Sequence, residues 1–115
     1  MRLLMAVSLV AATIVPASAQ NELPEGVDQL MTCAHVYSLK SEDAAAAGDE
    51  GAKTEFFHVG DALLGQAKLT LESAGYSADE IENVDMNYAL TTGFNYGASM
   101  GEEMLADCLA AADTP

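Results

Sequence analysis

From Val27 onward, apolar residues recur every three or four positions rather than every second one. Val27, Leu30, Met31, Ala34 and Tyr37 fall on one helical face. Pro24 suits a first helical position, with Glu25 and Asp28 near the positive helix end. Lys40 suits a last turn, and Ser41-Glu42-Asp43 reads as a fresh N-cap followed by acids. This spacing predicts a first helix ending near Leu39 or Lys40, then a short helix over 42–47. Gly48 and Gly51 bracket a hinge. A second long helix follows over about 52–74, with Phe56, Gly60, Leu63, Leu64, Ala67, Leu71 and Ala74 on one face. Gly75 is a left-handed stop, and Ser77-Ala78-Asp79-Glu80 matches a capping box.

The last helical segment spans about 78–111. Its inward stripe reads Met86, Leu90, Gly93, Gly97, Gly101, Met104 and Cys108, with Thr92, Asn95, Ser99, Glu102 and Glu103 opposite. Ile81, Val84 and Tyr88 are out of phase with that stripe, which implies a bend or break near 83–85. No sustained alternating stretch reads as a strand. The fold class is therefore all-α: a small up-and-down bundle of three to four main helices.

The residues ahead of this region read differently. Met1-Arg2 opens with a positive charge, and 3–15 is an apolar run too short for a bilayer, which needs about 20 residues. Pro16 breaks it, and Ala17-Ser18-Ala19 supplies small residues for cleavage. Residues 1–19 are read as a secretory signal peptide and 20–115 as a single helical domain. Leu30-Met31-Thr32-Cys33 is a poor lipobox, because it lies far beyond the apolar run. The expected location is the periplasm, or outside the cell in a host that lacks one.

Export changes the meaning of the two cysteines. Cys33 and Cys108, 75 positions apart, are expected to form one disulfide. Closing such a loop stabilises a chain by about 4 kcal/mol. Three full-length alternating helices would leave these residues at opposite ends of a bundle, whereas a disulfide needs Cα atoms about 4–7 Å apart. The bond therefore requires an early stop in the first helix or a further break at the glycines of the last, and the residues do not select between them.

The chain carries 18 acids and four basic residues, for a formal charge of −14. Removal of 1–19 takes away Arg2, leaving Lys40, Lys53 and Lys68. Such a balance argues against nucleic acid and against anionic membrane surfaces. No segment after the signal is long and apolar enough to span a membrane, so no membrane association is expected once it is cleaved.

Candidate chemistry is sparse. Gly93, Gly97 and Gly101 form a small-residue row, either packed against Gly60, Ala67 and Ala74 within the fold or open to a partner helix. His35 and His58 each read as isolated surface histidines, with no nucleophile or acid assembled around them. Met31, Cys33 and His35 do not converge as metal ligands on a helix. Asp79, Glu80, Glu82 and Asp85 lack the ligand spacing of a calcium loop. No phosphate loop or dinucleotide fingerprint is present. No cofactor and no metal are expected.

The Met31-Thr32-Cys33 string with a later Cys108, in an exported helical chain, resembles the small periplasmic acid-stress chaperones. Secreted two-cysteine immunity proteins share the plan. The cysteine spacing is longer here, and no basic tail follows Cys108. The resemblance implies protein binding of a chaperone-like or inhibitory kind, without catalysis, and leaves oligomeric state open. The alternatives are a small apolar ligand carrier, with Phe56, Leu64, Met100 and Met104 lining a cavity, and a small enzyme using His58 or His35. The signal reading predicts that exported protein begins at Gln20. Intact mass checks this, and soluble protein retaining Met1 overturns it.

Overall fold

The computed structural model describes residues 23–112, so the signal segment 1–19 lies outside the described residues. Four α-helices follow in order: α1 Val27–Ala46, α2 Glu50–Ser73, α3 Ala78–Asn95 and α4 Gly101–Ala112. A five-residue π-helical turn, Tyr96–Met100, joins α3 to α4. No strand occurs among the described residues. The chain is a small all-α bundle closed by the Cys33–Cys108 disulfide, whose Cα atoms stand 5.6 Å apart.

The helix ends follow local chemistry. Gly48 and Gly75 adopt left-handed backbone at φ 79° and 95°. At each, two backbone N–H groups return to the last carbonyls: Gly48 to Ala45 and Asp49 to Ala44, Gly75 to Glu72 and Tyr76 to Leu71. Asp49 then caps α2 by accepting from the Ala52 N–H at 3.0 Å. The capping box at Ser77 is complete. Its hydroxyl accepts from the Glu80 N–H at 3.1 Å, and the Glu80 carboxylate accepts from the Ser77 N–H at 2.7 Å.

Two expectations about α1 are corrected. The helix begins at Val27 behind Gly26 rather than at Pro24, and it runs unbroken to Ala46. Ser41 is not a cap. It is buried, and its hydroxyl donates to the Lys53 carbonyl of α2 at 2.8 Å. That cross-hairpin bond occupies the group that would have ended the helix, and the strong helix formers Ala44, Ala45 and Ala46 carry it onward. Lys40 is mid-helix, with its Nζ 3.3 Å from Glu102.

Helix α1 is the centre of the core and contributes to both buried clusters. Val27 and Met31 pack with Ala67 and Leu71 of α2, against which Leu64, Ile81, Val84 and Tyr88 lie half-buried. Further along, Cys33, Val36, Tyr37 and Cys108 form a second cluster flanked by Phe56, Leu63, Met104 and Leu105. The two helices approach closely at Gly60, where a Cβ would stand 3.0 Å from the Ala34 carbonyl oxygen and 3.3 Å from Tyr37 Cβ. This contact lets α1 and α2 meet across a glycine.

The last segment departs most from expectation. There is no break at 83–85, and α3 is continuous through it. Met86 and Leu90 face outward, while Ile81, Val84, Tyr88 and the buried Thr92 face the core. The cause is the π-turn. A π-helical turn holds one residue more than an α-turn, so crossing it shifts the helical phase by about 100°. Extrapolating the stripe back from Cys108 at 3.6 residues per turn reaches 93 and 86. The slip moves it one residue, to Thr92 and Asp85.

A series of contacts along α1 leads to the disulfide. Tyr88 and Asp85 of α3 meet Asp28 and His35, in the N-terminal half of α1. The chain then reaches Asp43 through Tyr96, returns to Lys40 through Glu102, and ends on Cys33 through Cys108. From Tyr96 to Cys108 the partners on α1 therefore come in reverse order, Asp43, Lys40 and Cys33, so this stretch lies antiparallel to α1. Along the helices, 33 to 43 and 96 to 108 span about 15 and 18 Å, so the two runs match.

These contacts predict opposite signs for one substitution at two glycines. Gly60→Ala forces a methyl against backbone and lowers stability by about 1 kcal/mol or more, despite its propensity gain. Gly93→Ala meets open space and raises stability by about 0.5–1 kcal/mol. Urea unfolding followed by circular dichroism checks both.

Candidate functional site

Helix α3 presents two faces of opposite character. Ile81, Val84, Tyr88 and Thr92 hold it to the core. On the other side Met86, Leu90 and Phe94, four residues apart, are 57%, 65% and 76% exposed. Beside them, a Cβ at Gly93 or Gly97 would find nothing within 4 Å. Three large apolar side chains and two bare glycines thus line one open helical face about 16 Å long.

The orientation of that face is fixed by polar ties on the inner side. Tyr88 donates its hydroxyl hydrogen to Asp28 at 2.6 Å. Asp85 accepts from His35 Nε2 at 2.7 Å, and its other oxygen lies 3.7 Å from Lys68 Nζ. This one carboxylate therefore links α1, α2 and α3. At the far end, Tyr96 donates to Asp43. Burial, the hydrogen bond to Asp28 and its negative charge push the Tyr88 phenol up to about 12. Tyr96 is pushed up further by burial, by its bond to Asp43 and by the charges of Asp43 and Glu102.

The glycine row divides. Gly93 and Gly97 do not pack within the fold, which corrects the intramolecular reading. The small residues of α2 serve α1 instead, through Gly60. A Cβ on Gly101 would lie 2.8 Å from the Tyr96 ring, so Gly101 sits beneath that side chain. His35 is also corrected. It is half-buried and bonded to Asp85 rather than isolated. His58 is exposed, with its ring edge-on to Phe57 at 5.9 Å. Among the described residues, no group of three His, Cys, Asp or Glu could hold a metal ion.

The residues suggested for a ligand cavity are dispersed. Phe56 and Met104 pack on the Cys33–Cys108 cluster, with Phe56 tilted against Tyr37 at 5.9 Å. Leu64 packs on the other cluster. The side chain of Met100 lies outside the description. An apolar hollow of about 180 Å³ beside the disulfide is bounded by Leu30, Tyr37, Val59 and Leu63. It is smaller than the roughly 300–1,000 Å³ of usual small-molecule sites.

The open face of α3 had a sequence signal that periodicity obscured. Residues 86–101 contain no Asp, Glu, Lys or Arg, sixteen positions in a chain otherwise dense in acids. No helix among the described residues is long and apolar enough to cross a membrane. No protein-family model, curated protein or solved structure matches the chain.

The raised phenols set an alkaline limit. Their folded-state values exceed the unfolded value of 10, so the stability they contribute is complete below pH about 10. It is lost as pH climbs through the folded values, from about 12 for Tyr88 upward. Phenolate absorbance should show Tyr88 and Tyr96 ionising late. Tyr88→Phe should remove one late component and lessen the alkaline loss of stability.

Proposed function

We propose that this protein is an exported, non-enzymatic helical module that binds another protein through the open face of α3. The observation that carries this reading is the exposure of Met86, Leu90 and Phe94 along a helix whose opposite side packs on the core through Ile81, Val84, Tyr88 and Thr92. A soluble domain loses free energy by keeping three such side chains in one line in water, at about 25 cal/mol per Å² of apolar surface, and a partner that covers them recovers it. Gly93 and Gly97 add room for a second backbone beside that line.

Two features support export. The segment 1–19 has the order of a secretory signal, and the Cys33–Cys108 bond is compatible with an oxidising compartment. Both support the proposed periplasmic or extracellular setting. The chaperone-like and inhibitory readings share this binding face and differ only in what is bound.

The test is a photo-crosslinking residue at position 94, with a control at Glu55 on the exposed side of α2, in the native exported fraction. A discrete protein adduct should form from position 94 and not from 55. Leu90→Ser with Leu and Phe both removed (Leu90→Ser, Phe94→Ser) should retain the helical spectrum and melting temperature and lose recovery of that protein from the extract. Equal adducts from both positions, or unchanged recovery by the double variant, overturns the reading.

A further inference from the structure

We infer that the partner segment received by α3 is a basic amphipathic helix, not a second copy of this chain. This rests on the binding reading above and adds the chemistry of what is bound. The argument is one of charge around an uncharged face. At 100° per residue, Asp79 and Glu82 continue the Met86–Leu90 line toward the helix start, and both are exposed. Just beyond the π-turn stand Glu102 and Glu103, also exposed. Along the chain the apolar stretch is thus flanked on both sides by carboxylates, of which Glu102 reaches Lys40, with no charge between them.

A second copy meets this pattern badly. Stacked parallel, it places each acidic end on its own counterpart. Stacked antiparallel, it places Asp79 and Glu82 opposite Glu102 and Glu103. Each lysine among the described residues already lies within 4 Å of a carboxylate of its own chain. Lys40 is 3.3 Å from Glu102, Lys53 is 3.6 Å from Glu50, and Lys68 is 3.7 Å from Asp85. Anionic lipid is repelled in the same way. A helix with apolar anchors at i, i+4 and i+7 and with Lys or Arg near its ends satisfies both the face and its borders. Gly93 and Gly97, beside which a Cβ would meet nothing within 4 Å, let its backbone approach α3 closely. From Asp79 to Gly97 the helix extends about 27 Å, which sets the useful partner length at about 16–18 residues.

The experiment uses two synthetic helical peptides of about 17 residues. They share one leucine-rich face and differ only in carrying Lys or Glu near both ends. The purified protein should bind the Lys peptide saturably and at least about tenfold more tightly than the Glu peptide. Leu90→Ser and Phe94→Ser should each weaken the Lys peptide severalfold. Asp79→Asn with Glu82→Gln should weaken it too and flatten its salt dependence. Equal binding of the two peptides, or Lys-peptide binding indifferent to Leu90→Ser and Phe94→Ser, overturns the inference. A protein dimer in sedimentation that Leu90→Ser dissolves also overturns it, in favour of self-association. If the position-94 adduct forms with a natural protein while the Lys peptide fails to bind, the binding face stands and the basic-helix chemistry falls.

Discussion

The bond between Cys33 and Cys108 sets the path of everything after Gly75. Cys33 lies in the second turn of α1, so the last helix must finish beside the first third of the first helix. The chain meets the requirement with α3, the π-turn of Tyr96–Met100 and α4 in unbroken succession, Glu102 lying at Lys40 and Cys108 at Cys33. The second core cluster depends on the bond as well, because Cys108 brings Met104 and Leu105 to Val36 and Tyr37.

Much of this was legible in the residues, and the parts that were not share a cause. The stop at Gly75, the capping box at Ser77 and Glu80 and the extent of α2 are decided by local geometry, and the cysteine count sufficed to anticipate the pairing. Ser41 misled because its cap chemistry is real but is spent on the Lys53 carbonyl of a neighbouring helix. Such a contact has no signature in a single stretch of sequence. The faces of α3 misled because periodicity assumes one residue count per turn. Ile81, Val84 and Tyr88 did signal a conflict with the later stripe. The slip that reconciles them lies at the glycines and tyrosine of 96–101, not at 83–85. The open face was legible only as a gap in charge, a pattern that hydrophobic spacing does not register.

Charge also explains how α3 is held. With 18 acids and few cations, the chain cannot rely on lysine to fasten its helices. Two tyrosines do much of that work, Tyr88 on Asp28 and Tyr96 on Asp43, each giving a carboxylate a neutral donor. A phenol anchors by its ring as well as its hydroxyl, so each tie adds apolar contact without demanding a counter-ion. His35 and Lys68 converge on the single carboxylate of Asp85, the one place where scarce nitrogen donors are concentrated.

The π-turn gives this small protein an unusual inheritance. Losing one residue from Tyr96–Met100 would restore uniform helical phase while the disulfide still fixed α4. The line of Met86, Leu90 and Phe94 would then rotate toward α1, and Ile81, Val84 and Tyr88 would rotate away from it. A single-codon deletion at this place therefore turns that line by about 100° relative to the disulfide, without altering any of its side chains. Display of the face is encoded in the number of residues in one turn, so it can arise or vanish in a lineage in one genetic step.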